Sequence, residues 1–103
     1  MNEGFYDWEC YITLIKTFFS NELSEFSFLY KQHAMPYGPY FEMGYQNEET
    51  KIELGAELGF NIDISIDNKK YNLCQYDRTV LEHNRVTEND ILYQLNVLKR
   101  FLK

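Results

Sequence analysis

His33 and His83 are the only histidines of the chain, and Cys10 and Cys74 the only cysteines. An imidazole can move a proton near neutral pH and a thiolate can attack an electrophile, but each needs an activating partner. His33 precedes a proline-rich turn and His83 follows Glu82, and nothing in their spacing ties the two together. The cysteines are a single distant pair with no C-x-x-C, which argues for reduced, buried thiols rather than a disulfide framework or a zinc site. The segment DISIDNKKYNLC places Asp63, Ser65 and Asp67 at alternate positions, as a calcium loop does. Asn68 stands where that loop turns on glycine, however, and Cys74 where it needs a bidentate glutamate, so a strand followed by a hairpin explains the segment better. Walker A, G-x-G-x-x-G, G-x-S-x-G and H-E-x-x-H motifs are all absent. The expectation is a protein that is not an enzyme and carries no metal or cofactor.

The chemistry that remains is that of carboxylates and tyrosines. Net charge is −6, with nine tyrosines and eight phenylalanines in 103 residues. Residues 40–67 hold seven acids against Lys51 alone, whereas residues 68–103 hold four acids against seven bases. A field of that sign repels nucleic acid and anionic membranes and attracts basic protein surfaces. The sequence pI near 4.8 is likewise far from that of a nucleic-acid-binding module. MNEGFYDWE has no basic residue before its first apolar run, the wrong order for a secretory or transit signal, and no apolar run approaches the roughly 18–20 residues of a membrane span. These features predict a soluble, cytoplasmic protein, and the length predicts a single domain over residues 1–103.

The elements that position these groups follow from periodicity. Trp8, Tyr11, Ile12, Ile15, Phe18 and Phe19 recur at spacings of three and four, which predicts a helix over 5–19. SNELS breaks that period. EFSFLYK then alternates Phe26, Phe28 and Tyr30 against Ser27, Leu29 and Lys31, favouring a strand over a short helix spanning 20–30. MPYGP is a turn. YFEMGYQ, KIELGAE and FNIDISID alternate strictly, as antiparallel strands with one packed and one wet face do. A tight turn around 67–70 leads into KYNLCQY, a further strand in which Tyr71 and Leu73 can sit opposite the isoleucines in either of two registers. Residues 77–86 read as loop with a short strand TVLEH. Thr87 and Asp90 form a weak capping box ahead of a closing helix containing Ile91, Leu95, Leu98 and Leu102. The fold class is α+β: an antiparallel sheet of four to five strands packed on one face by N- and C-terminal helices.

If both helices cover one face, the outward positions are Tyr40, Glu42, Lys51, Glu53, Glu57, Asn61, Asp63, Ser65 and Asp67. Phe41, Met43 and Tyr45 then point into the core. Folding gains nothing from acids on neighbouring strands, since like charges directly opposite cost roughly 0.2–1 kcal/mol per pair. A partner rich in Lys and Arg could use them. The expected binding surface comprises Tyr37 and Tyr40 as anchors with Glu42, Glu53, Glu57 and Asp63, joined by Glu48 and Glu49 in a hairpin turn.

The acid-rich strands YFEMGYQNEETKIELGAE and FNIDISID, flanked by aromatic turns, resemble in type the immunity proteins of bacterial toxin systems, including contact-dependent inhibition. The resemblance spans the whole chain without a diagnostic motif. It implies a stoichiometric inhibitor of a cognate, basic, nuclease-type toxin domain. A homodimeric scaffold or regulatory subunit is the alternative, followed by a small ligand-binding domain or enzyme; a nucleic-acid mimic shares the acidic logic.

Overall fold

A computed structural model describes residues 8–34, 40–56 and 59–102, excluding the side chains of Trp8, of residues 31–34 and of Tyr40. Helix α1 runs from Trp8 to Glu22, three residues past its expected end. SNELS does not end the stripe: Leu23 lies four residues after Phe19, its N–H donates to the Phe19 carbonyl at 2.9 Å, and it is as buried as Ile12, Ile15 and Phe19. The spacing of Ile12, Ile15, Phe19 and Leu23 keeps one face of the helix apolar to its last turn.

Five antiparallel strands follow as a meander in the order β1 to β5: Ser27–Ala34, Tyr40–Gln46, Thr50–Ala56, Phe60–Ile66 and Lys69–Asn72. Residues 27–34 are therefore strand, the favoured of the two readings. The turn between β2 and β3 is held by Asn47, whose Oδ1 accepts from the backbone N–H groups of Glu49 and Thr50. Asp67 and Asn68 connect β4 to β5 with φ of 51° and 69°. Two left-handed residues match the twist of a two-residue hairpin, and Asp and Asn tolerate that region better than other non-glycine types. This turn selects the register the sequence leaves open, pairing Ile66 with Lys69 and Ile64 with Tyr71.

Leu73 and Cys74 are not in a strand. Asn72 caps a one-turn helix α2 (Leu73–Tyr76): its side chain accepts from the Cys74 N–H, and Gln75 Oε1 accepts from the Asn72 N–H. That reciprocal cap ends β5 after four residues. The expected strand TVLEH is instead part of a 3-10 helix over Arg78–Glu82, started by Asp77, which accepts from the Thr79 N–H. Helix α3 spans Glu88–Leu102 and ends with Lys99 and Arg100, as the dipole favours.

The core lies between one sheet face and the helices. Phe41, Met43, Tyr45, Ile52, Leu54, Phe60, Ile62 and Ile64 supply the sheet side; Ile12, Ile15, Phe19, Ile91, Leu95 and Leu98 supply the helix side. Phe19 stacks on Tyr45 with centroids 3.7 Å apart and 5° between planes. Lys99 joins the two long helices by an ion pair to Glu22 at 2.6 Å. Burial pushes the Tyr45 hydroxyl up to about 12. The folded state thus holds a proton that the unfolded chain releases near pH 10. Stability contributed by neutral Tyr45 is full below about pH 10 and falls as pH rises towards about 12. Urea titrations at pH 9 and pH 11 are expected to show that loss in the wild type and a smaller one in Tyr45→Phe.

The Thr87–Asp90 cap is only half of a box. Thr87 Oγ1 accepts from the Asp90 N–H at 3.2 Å, but the Asp90 carboxylate reaches sideways. One of its oxygens accepts from the Arg85 N–H at 3.0 Å, and the other lies 3.2 Å from His83 Nδ1. Gln94, one turn on and fully buried, donates through Nε2 to the carbonyls of Phe60 and His83 at 2.9 and 2.8 Å. Both side chains hold the 83–85 segment to α3, and Gln94 also ties it to the start of β4.

Candidate protein-binding face

No described helix lies on the second face of the sheet, and its residues alternate with the buried ones as the period-two pattern predicts. Its central row crosses all five strands: Tyr30 pairs with Gly44, Gly44 with Glu53, Glu53 with Asp63, and Asp63 with Asn72. One flanking row contains Glu42, Gly55 and Asn61, and the other contains Gln46, Lys51, Ser65 and Lys70. Glu42, Glu53 and Asp63 therefore stand together on three adjacent strands. Glu53 and Asp63 are direct cross-strand neighbours, a like-charge pairing that disfavours folding by roughly 0.2–1 kcal/mol.

Tyr30 belongs to this face through an irregularity that the alternation hides. The ladder between β1 and β2 shifts between Phe28 and Tyr30, so Leu29 is an extra residue. Phe28 stays on the helix side, edge-on to Tyr45 and under the Lys16 ammonium, while Tyr30 turns to the open face. The reading that grouped Tyr30 with Phe26 and Phe28 is corrected by that bulge. The Tyr30 ring lies across Gly44: a Cβ at position 44 would sit 2.3 Å from its Cε1. Its hydroxyl donates to Glu53 Oε2 at 3.5 Å. Partial burial first, and the charges of Glu53 and Glu42 second, raise the Tyr30 hydroxyl above the ordinary tyrosine range.

Two bases moderate the acids. Lys51 lies 3.7 Å from Glu53 Oε2, and Lys70 shares the row with Lys51. Asp63 accepts from Asn72 Nδ2 at 2.9 Å. Three further acids, Glu48, Glu49 and Asp67, sit at the turn end. Glu48 and Glu49 are exposed between β2 and β3, and the Asp67 N–H donates to the Glu49 carbonyl at 3.2 Å across to the neighbouring turn. The two turns enclose a shallow, open depression of about 480 Å³ lined by Glu48, Glu49, Asp67 and Lys70 among others. Asp67 is thus a turn residue, not a strand position. Tyr40 opens β2 but its side chain lies outside the described residues, as do Tyr37 and Glu57 altogether.

Of the two histidines, His83 is engaged structurally, and the side chain of His33 lies outside the described residues. His83 stacks on Tyr93 with centroids 3.8 Å apart and directs Nδ1 to Asp90. Thr79 hydrogen-bonds the Tyr93 hydroxyl and donates to Asp77, whose carboxyl is held below the usual range chiefly by those Thr79 contacts and also by Arg100. Cys10 is exposed on α1 and Cys74 half-buried in α2, neither in a disulfide, which corrects the expectation of two buried thiols. Among the described residues no group of three or more His, Cys, Asp or Glu could hold a metal ion, and no helix is long and apolar enough to cross a membrane.

Comparison of the chain with models of known protein families, with curated proteins and with solved structures finds no match.

Proposed function

We propose that this protein is a stoichiometric inhibitor that binds a basic protein through the open sheet face, in the manner of an immunity protein neutralising a nuclease-type toxin domain. The observation that supports the reading is the central row: Tyr30, Glu53 and Asp63 on adjacent strands, flanked by Glu42, on a face that no described helix covers. The Glu53–Asp63 repulsion gives the fold nothing, and an arriving cation relieves it. Glu48 and Glu49 extend the negative edge and speed encounter.

Capture from host lysate on tagged wild type and on Glu53→Lys/Asp63→Lys, identified by mass spectrometry, tests this. A basic partner should bind the wild type at one-to-one stoichiometry, weaken with added salt, and lose roughly 100-fold or more in affinity to the double variant, because like charges brought together across an interface cost several kcal/mol. Both positions are solvent-facing, so the variant's own stability should change by less than about 1 kcal/mol. Capture indifferent to salt and to charge reversal would refute the reading.

One observation favours a homodimeric scaffold instead. β1 is an edge strand that presents Phe28 and Leu29 at 44% and 38% exposure. The bulge at that point works against edge pairing. Sedimentation of the isolated protein decides: a stable dimer supports the scaffold.

A further inference from the structure

The open face, read as the binding surface, also carries features that bear on what it recognises. We propose that its centre is a receptor for a single arginine of the partner: the guanidinium lies on the outward side of the Tyr30 ring and is bound by the Glu53 carboxylate, displacing Lys51.

Three features converge on it. Because the ring lies against Gly44, where a Cβ would come within 2.3 Å of Cε1, its inner side is against the β2 backbone and its outer side faces away from the sheet. An aromatic plane beside a carboxylate suits a planar cation that stacks and donates in a fork at once; an ammonium does neither as well and is more strongly hydrated. Second, Glu53 is held loosely. The Tyr30 hydroxyl reaches Oε2 at 3.5 Å and Lys51 approaches the same atom at 3.7 Å, both at the outer limit of such contacts, so a guanidinium at about 2.8 Å replaces them favourably. Third, Asp63 stands directly opposite Glu53 across the ladder, so a second carboxylate adds to the attraction without blocking the ring. Glu42 on the same face, whose charge reaches the Tyr30 hydroxyl, adds to it from the other side. Among the described residues, the charged groups around the site are thus Glu42, Glu53 and Asp63 against Lys51, with Lys70 beyond Ser65.

The test is an NMR titration of the full-length protein at low ionic strength with two capped tripeptides, acetyl-Gly-Arg-Gly-amide and acetyl-Gly-Lys-Gly-amide. The arginine peptide should shift the amides of Tyr30, Gly44 and Glu53 saturably and bind roughly three- to tenfold more tightly than its lysine twin. Glu53→Gln should abolish the preference, Tyr30→Ala should reduce it to near unity, and Lys51→Met should tighten arginine binding about two- to fivefold by removing the internal competitor. Tyr30→Phe, which keeps the ring, should retain most of the preference and guards against a trivial folding defect in the alanine variant. Equal binding of the two peptides, no saturable shift, or shifts insensitive to Glu53→Gln would each overturn the proposal. The outcomes separate from those of the capture experiment: salt-sensitive capture of a basic protein with no arginine preference leaves the inhibitor reading intact and removes this one. An arginine-selective site with no basic partner captured does the reverse.

Discussion

Phe19→Ala is expected to lower the unfolding free energy by about 3–5 kcal/mol, the usual range for emptying a buried aromatic site. Phe19 is 2% exposed, stacks on Tyr45 and meets the Phe26 ring edge-on with centroids 6.4 Å apart. It joins three elements: its helix α1, strand β2 through Tyr45, and the segment before β1 through Phe26. The cavity left behind cannot close by a rotamer change, because the facing rings are themselves fixed between helix and sheet. With roughly 5–15 kcal/mol available to a domain of ordinary stability, this single change removes a large part of it. The melting temperature should fall by roughly 15–30 °C. Phe19→Leu, which keeps most of the volume, should recover about half of that, and differential scanning calorimetry of the three proteins checks both expectations. A loss under about 1 kcal/mol would mean that α1 is not docked on β2 as described.

Gln94→Leu is expected to cost about 2–3 kcal/mol although it makes the interior more apolar. Gln94 Nε2 donates to the carbonyls of Phe60 and His83, and the substitution leaves both acceptors without that donor at about 1–3 kcal/mol for each buried group deprived of a partner. An offset comes from the other amide atom. Oε1 is buried with no hydrogen-bond partner among the described residues, and leucine removes it. Since both partners are carbonyls, the amide orientation follows from the network. The local signature distinguishes this from simple core damage. The Phe60 N–H donates to the Asn84 carbonyl at 2.7 Å, and its hydrogen exchange should accelerate more than that of Ile64 or Leu54 if Gln94 is what holds residues 83–85 against β4. Uniform acceleration, or a loss below about 0.5 kcal/mol, would contradict the role assigned to Gln94.

The two substitutions differ in how visible they are beforehand. Phe19 lies on a stripe of period 3.6, and the helix that carries it can be read from Ile12, Ile15 and Phe19 alone; only its extension to Glu22 was missed, because the polar residues of SNELS obscured Leu23. Gln94 carries no such mark. A glutamine among apolar residues of a helix becomes informative only when two backbone carbonyls, 34 and 11 residues away in sequence, are seen to converge on it. Asp90 behaves alike: its spacing from Thr87 reads as a cap, and its actual partners in the 83–85 segment are set by the path of the chain.

The binding face divides in the same way. Strict alternation in β2, β3 and β4 determined by itself that Glu42, Glu53 and Asp63 share one side and Phe41, Met43, Ile52, Leu54, Ile62 and Ile64 the other, because side-chain direction along a strand has a period of two and burial selects the apolar set. The two long helices, the four strands before the Asp67–Asn68 turn and the sign of the charge field were equally local properties. Tertiary structure alone decided which residues meet across strands. The bulge at Leu29 reversed the side of Tyr30, the left-handed Asp67–Asn68 turn brought Lys70 into line with Lys51, and the Asn72 cap took Leu73 out of the sheet. The bulge and the alignment of Lys70 with Lys51 depend on inter-strand register, the sum of many weak contacts between distant segments that no window of the sequence contains, whereas the Asn72–Gln75 cap is local and was hidden by the alternation of KYNLCQY.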